Sequence, residues 1–408
     1  MIDRHIADTI EETRKHFPVV IVTGPRQVGK TTLLINMYED KGYNYVSLDD
    51  TLERSLAISD PRTFLEVHPY PLIIDEAQKA PELFDEIERI VNGKRSKEGN
   101  AKASGMYILT GSTRHLLLEK AEESLAGRCG IISMWPLSIS EIMDRENNIF
   151  LSDLKKINKR ADIDFDVFEY ICRGSLPQLY DDKETSRDIF YSSYISTYLE
   201  KDVREILNVY DIVKFTNFFK LLASNIGQEV IYENYAKDLG IDKNTIKSWI
   251  GVLVKTGVVY LIQPYNEQSI TKRIIKRPKM YFFDTGLASF LVGIDSKKTL
   301  EKSFMKGRFF ENFAMNEILK SFHNSGINQD MYFYRDSNQN EIDLVYVNEG
   351  KLNLVEMKSG QKFSIGDVPG FRQLDKTRFE KGNRVIVCTT DKLSAIDEGV
   401  LLYPIKAI

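Results

Sequence analysis

The fold of the first third of the chain is decided by Val19-Val20-Ile21-Val22-Thr23-Gly24-Pro25-Arg26-Gln27-Val28-Gly29-Lys30-Thr31-Thr32. An apolar, β-branched run breaks there into a glycine-bounded loop that satisfies the P-loop pattern G-x-x-x-x-G-K-[ST] at every required position. The glycines let consecutive backbone amides turn inward around a phosphate. We expect Lys30 to reach the outer phosphates, Thr31 to ligate Mg²⁺, and the following helix to add its N-terminal positive charge. The nucleotide-binding residues predicted from this stretch are Gly24, Pro25, Arg26, Gln27, Val28, Gly29, Lys30, Thr31 and Thr32.

The length and charge of the chain limit its class. The 408 residues exceed one ordinary core, since a domain averages about 150 residues. A formal net charge of −4 argues against constitutive coating of nucleic acid, although a local basic face stays open. The widely spaced Cys129, Cys172 and Cys388 suggest buried thiols rather than disulfides or a zinc site. No apolar run approaches the ~20 residues of a membrane span. These features predict a cytoplasmic protein with no membrane partner.

A second apolar run ends in two carboxylates. Pro71-Leu72-Ile73-Ile74-Asp75-Glu76 is typical of a strand buried on both faces of a parallel sheet, whose ligands gather at the carboxyl ends of strands. Such an acidic pair also occurs on ordinary strand ends, but its position after a P-loop favours a Walker B motif. Asp75 is then expected to hold Mg²⁺ through water, and Glu76 to orient or deprotonate the attacking water.

Three further residues are candidates for contact with the γ-phosphate. Thr110 and Ser112 follow the apolar run Met106–Leu109, where a phosphate sensor would lie, although Ser112 is equally suited to cap a helix. Arg128 is a candidate arginine finger, acting in its own molecule or across an oligomer interface, and an ordinary surface ion pair is the alternative.

These motifs together resemble a large prokaryotic family of AAA-type ATPases that is related to archaeal ATPases and carries a C-terminal domain of unknown function. The resemblance rests on Gly24–Thr32, Ile73–Gln78, Leu109–Ser112 and Leu125–Arg128, and it continues in Tyr198–Arg204 and Tyr281–Leu287. The resemblance covers essentially the whole chain, and it implies ATP binding and an AAA-like core.

The middle of the chain is predicted to be helical and then to resemble a DNA reader. Residues 138–210 show helical spacing, and Arg204 either approaches the nucleotide from a lid or lies on a solvated helix face. Residues 235–250 give a helix, a glycine turn at Gly240 and a capped helix, as in a winged helix. A basic run, 272–279, follows as a candidate wing. Contact with DNA and service as a lid or partner surface are both open. The residues suited to phosphate and base contacts are Lys243, Asn244, Thr245, Lys247 and Ser248.

The C-terminal third carries a second constellation. A helix from Phe309 toward Lys320 precedes strand-like segments at 331–335, 341–346 and 352–358, and period-2 alternation places Glu356 and Lys358 on one face. Alternating charges on a half-exposed hairpin would give the same residue types without any chemistry.

This constellation resembles the PD-(D/E)XK nuclease core. The resemblance implies that Asp343 and Glu356 bind Mg²⁺, that Lys358 positions or activates a water, and that Glu311 completes the acidic group. Gln373, on the helix expected next, is a candidate supporting residue.

The prediction is therefore an α/β chain with four parts. Residues 1–137 form a P-loop AAA-like parallel-sheet core, 138–212 a helical lid, 213–278 a winged-helix segment, and 279–408 a nuclease-like α/β domain. The predicted function is Mg²⁺-dependent ATP hydrolysis that controls the nuclease-like domain on DNA. The alternative is a nucleotide-dependent signalling or partner-binding switch whose nuclease-like domain is inactive. DNA and a second copy of the chain are candidate partners.

Overall fold

The computed structural model describes residues 2–111, 114–181, 184–198, 212–266, 277–375 and 377–408. The chain forms two compact units. Unit 1 comprises Met1–Leu137, Lys255–Gly257 and His323–Gly326, and unit 2 comprises Ser138–Val254, Val258–Phe322 and Ile327–Ile408. The predicted Ser112, Arg204 and the segment 272–276 lie outside the described residues. The finer division of the chain into four parts stays a prediction.

The elements of the first 137 residues alternate between helices and strands. The strands are β1 (Val19–Thr23), β2 (Asn44–Ser47), β3 (Leu72–Asp75), β4 (Tyr107–Thr110) and β5 (Cys129–Ser133). The helices are α1 (Ile6–His16), α2 (Lys30–Tyr38), α3 (Thr51–Ser59), α4 (Pro61–Val67), α5 (Leu83–Glu98) and α6 (Arg114–Ser124). Short 3₁₀ helices span Glu39–Lys41, Ala77–Lys79 and Ala101–Ala103.

The five strands of unit 1 form one parallel sheet in the order β2-β3-β4-β1-β5. Strands β1 and β4 are buried along their whole length, as the continuous apolar runs predict. Because β4 pairs with both β1 and β3, the carboxyl ends of these three strands lie side by side. The predicted parallel-sheet core is therefore confirmed, and its carboxyl edge carries both the glycine loop and Asp75.

One segment differs in structure from what its composition suggests. The polar composition of Asn92–Ser104 is typical of an exposed loop, yet α5 continues through Glu98. Lys94 pairs with Glu98 one turn later at 2.6 Å, and Arg89 pairs with Glu86. Ion pairs at this spacing stabilise a helix that its composition alone does not reveal.

Among the described residues, a series of helices follows Leu137. They are α7 (Ile139–Ile142), α8 (Ile157–Ala161), α9 (Val167–Arg173), α10 (Gln178–Asp181), α11 (Arg187–Tyr198), α12 (Ile212–Ser224), α13 (Tyr232–Leu239) and α14 (Lys243–Lys255). Then come β6 (Val259–Pro264), β7 (Lys279–Phe282), α15 (Thr285–Leu291), α16 (Lys297–Lys302) and α17 (Lys306–His323). The last strands are β8 (Tyr332–Arg335), β9 (Glu341–Asn348), β10 (Lys351–Lys358), β11 (Glu380–Cys388), β12 (Ser394–Ala395) and β13 (Leu401–Pro404), with 3₁₀ helices at Leu154–Lys156, Ile365–Asp367, Pro369–Leu374, Asp397–Gly399 and Ile405–Ala407.

The strands of unit 2 form a mixed sheet in the order β12-β13-β11-β10-β9-β8-β6-β7. Strands β8, β9 and β10 make an antiparallel meander, and β11 then pairs parallel to β10. The crossover between β10 and β11 contains 3₁₀ helices, so Gln373 lies in the 3₁₀ helix Pro369–Leu374 instead of an α-helix. Pro369 and Gly370 lower the helix propensity of this segment.

Helix α15 begins at a buried cap. Asp284 accepts hydrogen bonds from the backbone amides of Leu287 (2.7 Å) and Ser175 (2.6 Å). Its carboxylate also accepts from the Ser175 hydroxyl at 2.9 Å and the Tyr191 hydroxyl at 2.6 Å. The segment Tyr281–Leu287, singled out by its motif, thus contributes a residue that joins α9, α11 and α15. Over the described ranges, no helix combines the length and apolar character required to cross a membrane.

Candidate nucleotide site and carboxylate cluster

The glycine loop between β1 and α2 is built on left-handed backbone. Gly24, Gln27 and Gly29 have φ values of +147°, +61° and +88°. A Cβ atom at Gly24 would lie 2.2 Å from the carbonyl oxygen of Met134, so only glycine fits there. These three positions turn the loop within six residues and begin α2 at Lys30.

The ammonium group of Lys30 lies at the mouth of this loop. The side chain is largely buried, and its Nζ donates to the carbonyl oxygens of Gly24 (2.9 Å) and Pro25 (2.8 Å). A cation held by backbone carbonyls at a helix N-terminus suits an anionic ligand such as a phosphate chain. The loop, Lys30 and the start of α2 can together hold the nucleotide phosphates.

Asp75 and Thr31 meet at the carboxyl edge of the sheet. The Thr31 hydroxyl donates to Asp75 Oδ2 at 3.0 Å, and the Tyr45 hydroxyl donates to the same oxygen at 3.2 Å. Burial raises the pKa of the Asp75 carboxyl, and the hydrogen bond from Thr31 offsets part of that rise. A hydroxyl and a carboxylate beside the phosphate loop are the oxygen donors that Mg²⁺ prefers, so these residues fit the predicted ion.

Glu76 occupies a strained position next to Asp75. Its φ of +54° is unusual for a residue other than glycine, and such strain gathers at functional sites. Its carboxylate accepts a hydrogen bond from the side-chain amide of Gln78. A Cβ atom at Gly111, just after β4, would lie 2.1 Å from Oε1 of Gln78, so a larger residue there would displace the Gln78 side chain. Gln78 lies in the quoted motif but received no role from sequence, because a side-chain partner two residues away leaves no periodic signal.

Thr110 ends β4, between the glycine loop and Asp75. It is fully buried, and its Oγ1 has no hydrogen-bond partner among the described residues. An orphaned buried hydroxyl between two phosphate-binding elements fits a ligand-sensing group.

Arg128 lies at the opposite edge of the same sheet. Its backbone oxygen accepts a hydrogen bond from Val19 at the start of β1, whereas the glycine loop follows the end of β1. A strand of this length separates the two edges by roughly 15 Å. The guanidinium pairs with Glu88 at 3.0 Å and donates to Asn92 at 2.8 Å. This placement favours the ordinary ion pair over a finger acting within the same molecule.

Unit 2 brings together charged residues that the sequence assigned to a nuclease-like site. We define the carboxylate cluster as Glu311, Glu341, Asp343 and Glu356 with the two cations Lys279 and Lys358. Glu341 and Asp343 alternate along β9, and Glu356 and Lys358 alternate along β10, so each pair shares a face. Glu356 pairs with Lys358 at 3.1 Å, and Asp343 Oδ2 accepts from the Met357 amide at 2.9 Å.

Lys279 is the last residue of the basic run that was interpreted as a candidate wing, and the structure buries it in strand β7. Its side chain is 3% exposed. Its Nζ lies 2.8 Å from Glu311 Oε1 and 3.5 Å from Asp343 Oδ1, and it also contacts Glu341. Residues Lys279 and Tyr281 alternate along β7, and Tyr281 donates to Glu311 at 2.7 Å. The basic run in the sequence concealed this strand alternation.

Burial dominates the electrostatics of the cluster. Desolvation, followed by repulsion from Asp343, raises the pKa of both Glu311 and Glu356. Burial alone lowers the pKa of the Lys279 ammonium, but attraction to Glu311 and the other acidic neighbours raises it well above its usual range. Lys279 therefore stays charged at neutral pH.

The helix–turn–helix segment exposes several of its predicted contact residues. Gly240 ends α13 in the left-handed region, and α14 follows three residues later. Lys243 pairs with Glu233, and Lys247 lies 5.8 Å from the centre of the Tyr232 ring. Both lysines are exposed.

The class of the first unit follows from its sheet and loop. A glycine loop after the first strand of a parallel sheet, with Thr31 and Asp75 in contact beside it, defines a P-loop nucleotide-binding protein. Residues 16–143 match the AAA domain family. Residues 16–143 therefore form a P-loop domain that is similar to the AAA domain family.

Two further family matches cover the remainder of the chain without giving an activity. Residues 164–298 match a domain of unknown function (DUF8612), and residues 306–408 match another (DUF4143). An uncharacterised protein of Mycobacterium tuberculosis is 25% identical over 368 residues, which cover 89% of this chain and 75% of that protein. An uncharacterised protein of Methanocaldococcus jannaschii is 26% identical over 302 residues, with 67% and 62% covered. The Walker-type ATPase of Pyrococcus abyssi aligns with a TM-score of 0.46 and 15% identity, over 71% of this chain and 96% of that structure.

Proposed function

We propose that unit 1 hydrolyses ATP with Mg²⁺, and that hydrolysis operates a switch whose output is contact with DNA. The observation that carries the hydrolytic part is the contact between Thr31 and Asp75 at 3.0 Å beside Lys30 and the strained Glu76. Loop, hydroxyl, carboxylate and candidate base occupy one edge of one sheet, which is the set of groups that phosphoryl transfer requires.

Each residue of this edge has a separate task in the proposal. The loop amides and Lys30 bind the phosphates and balance their charge, and Thr31 with Asp75 would hold Mg²⁺, which supplies further charge neutralisation. Glu76 accepts a proton from the attacking water or orients that water. Gln78 fixes the Glu76 carboxylate until a nucleotide provides other partners, and Thr110 senses the terminal phosphate from the end of β4.

Phosphate release by the full chain tests this proposal. We expect Lys30→Ala to abolish nucleotide binding, and Glu76→Gln to retain binding while lowering turnover by about 100-fold or more. Glu82→Gln, on an exposed carboxylate of the same unit, is the matched control and should leave turnover unchanged. Wild-type protein that binds ATP but releases no phosphate, with no effect of Glu76→Gln, would identify a nucleotide-binding protein without hydrolysis.

The proposed contact with DNA rests on the start of α14. Lys243, Asn244, Lys247 and Ser248 are exposed after the Gly240 turn, as in the recognition helix of a winged helix. Strands β6 and β7 pair antiparallel after α14 and would supply the wing. The pairing of Lys243 with Glu233 opposes binding and has to break for a phosphate contact.

Fluorescence anisotropy with a labelled DNA duplex tests that contact in the presence and absence of ATP. Lys243→Ala combined with Lys247→Ala should weaken binding and reduce the slope of log affinity against log salt by roughly 2, because each lysine releases about one counterion. Lys237→Ala, an exposed lysine of the preceding helix, is the matched control. Equal binding by the double variant and the control would exclude α14 as the DNA contact.

We further propose that the C-terminal part of unit 2 has a nuclease-like fold but acts as a binding module. A meander of three strands, a crossover and a parallel fourth strand support the fold, as does the convergence of the predicted Glu311, Asp343, Glu356 and Lys358. The observation that favours binding over cleavage is Lys279, whose ammonium contacts Glu311 and Asp343. Incubation of the full chain with duplex DNA, Mg²⁺ and ATP should leave the DNA intact. Cleavage that Glu356→Gln removes would restore the nuclease hypothesis.

A further inference from the structure

The carboxylate cluster of unit 2 has one cation at its centre. Lys279 Nζ lies 2.8 Å from Glu311 Oε1 and 3.5 Å from Asp343 Oδ1, and it contacts Glu341 as well. The same nitrogen lies 5.6 Å from the centre of the Phe333 ring. One ammonium group thus joins the carboxylate of helix α17 to both carboxylates of strand β9.

This ammonium contacts the two carboxylates that a bridging metal ion would have to share. A divalent ion shared by Glu311 and Asp343 must lie between their oxygens, because Mg²⁺ binds oxygen ligands at about 2.0–2.1 Å. Lys279 Nζ lies within 3.5 Å of an oxygen of each of these carboxylates.

Two of the remaining oxygens have other partners, whereas Glu356 Oε2 is buried without a hydrogen-bond partner among the described residues. Asp343 Oδ2 accepts from the Met357 amide, and Glu356 Oε1 accepts from Lys358. Glu311 Oε1 also accepts from Tyr281. Over the part of the chain that the structure describes, no three acidic, histidine or cysteine side chains are arranged to hold a metal ion. Glu311 and Asp343, already bridged by Lys279, therefore do not fit a shared metal of the kind that the nuclease resemblance implies.

Burial and strand pairing hold the Lys279 ammonium in this position. Its side chain is 3% exposed, and β7 fixes its backbone through pairing with β6, where Lys279 lies opposite Ile262. Arg335 lies 3.8 Å from Glu341 and 3.0 Å from Glu229, so a third cation, besides Lys279 and Lys358, lies on the Glu341 side of the cluster. A buried carboxylate group of this size requires cations close by, and the chain supplies them itself.

We propose that Lys279 is the built-in cation of the carboxylate cluster and closes it to divalent metal ions. The C-terminal part of unit 2 then works without a metal, and its carboxylates hold β7, β9 and α17 together. Removal of the Lys279 charge opens a divalent-cation site between Glu311 and Asp343. The inference rests on these contacts, and its test is independent of ATP hydrolysis and DNA binding.

Binding of Mn²⁺ to the nucleotide-free full chain tests the inference. Electron paramagnetic resonance measures the free ion, and an Asp75→Asn background removes the contribution of the nucleotide site. In that background, adding Asp343→Asn should leave Mn²⁺ binding unchanged, because the cluster is closed. Adding Lys279→Met should create one new site that binds Mn²⁺ about ten-fold or more tightly than the background does, and a further Asp343→Asn should remove it.

Matched variants make the outcome decisive. Lys279→Arg keeps the charge and should bind no more Mn²⁺ than the background. If Lys279→Met fails to fold, Lys279→Gln provides a neutral side chain for the same measurement, and the comparison with Asp343→Asn requires no change at Lys279. The inference is overturned if the background chain already binds one Mn²⁺ that Asp343→Asn removes, or if the neutral variants gain no site.

Discussion

Truncation of Asp284 to alanine should destabilise unit 2 far more than the loss of an ordinary helix cap. Asp284 is 5% exposed and accepts four hydrogen bonds, from Leu287, Tyr191 and two groups of Ser175. Two of these donors are backbone amides, which cannot rotate toward another hydrogen-bond acceptor. The two hydroxyl donors can rotate toward other acceptors, so they contribute less to the loss.

The magnitude follows from the stranded donors. A buried donor without a partner costs about 1–3 kcal/mol, so the two amides give about 2–6 kcal/mol, with a central value of about 4 kcal/mol. If the free energy of unfolding falls by about 3 kcal/mol for each molar of urea, a loss of about 4 kcal/mol lowers the urea midpoint of unfolding by roughly 1.3 M. Asp284→Asn keeps one acceptor oxygen and should lose about half as much.

The unfolding of unit 2 can be followed through Trp249. The chain has two tryptophans, so a Trp135→Phe background leaves only Trp249. The ring centres of Trp249 and Phe215 lie 5.2 Å apart, so Trp249 is packed within unit 2. The matched control is Asp166→Ala, because Asp166 caps α9 through two amides but its side chain is 36% exposed. That control should cost about 1 kcal/mol, since water replaces the lost acceptor. If Asp284→Ala and Asp166→Ala shift the urea midpoint equally, the reasoning from buried donors is refuted.

Three further predictions concern unit 1 and the cysteines. Gly24→Ala should weaken binding of a fluorescent ATP analogue by about ten-fold or more, because the alanine Cβ would lie 2.2 Å from the Met134 carbonyl oxygen. Unchanged affinity would show that the loop relaxes freely. Arg128→Ala should leave phosphate release within about two-fold of wild type, since the guanidinium serves an ion pair, and a larger loss would indicate action on a neighbouring molecule. Iodoacetamide at pH 8 should label the half-buried Cys129 but not Cys172, because burial raises the pKa of the Cys172 thiol to about 11. Equal labelling of the two cysteines, measured by mass spectrometry, would contradict this prediction.

The parallel-sheet core could be predicted because its determinants are local in sequence. The run Val19–Thr23 is apolar at every position, which is typical of a strand covered on both faces, and the glycine loop follows without interruption. The strands of the C-terminal part could also be predicted, since polar and apolar residues alternate over 341–344 and 351–354. In both cases the backbone conformation depends on neighbours a few residues away.

Features that depend on distant partners were not predictable from the same patterns. Gln78 approaches Glu76 across a short 3₁₀ turn, and its side chain packs against Gly111, more than thirty residues later. Arg128 resembles a catalytic arginine in its motif, and only the pairing of β5 with β1 shows that it starts the strand at the opposite edge. A motif specifies residue types and spacing, whereas the edge of the sheet is decided by topology.

Lys30 and Lys279 show how partners decide the role of a buried lysine. Both side chains are less than one-tenth exposed, and both nitrogens lie about 2.8 Å from an oxygen atom. Lys30 donates to the neutral carbonyls of Gly24 and Pro25, so exchanging them for phosphate oxygens increases its electrostatic stabilisation. Lys279 contacts carboxylates, so an anionic ligand would gain little attraction there. A metal ion would have to displace the Lys279 ammonium, whose charge these carboxylates already balance. The same side chain therefore attracts a ligand in unit 1 and excludes one in unit 2, and the Mn²⁺ measurement separates these roles because only the second depends on Asp343.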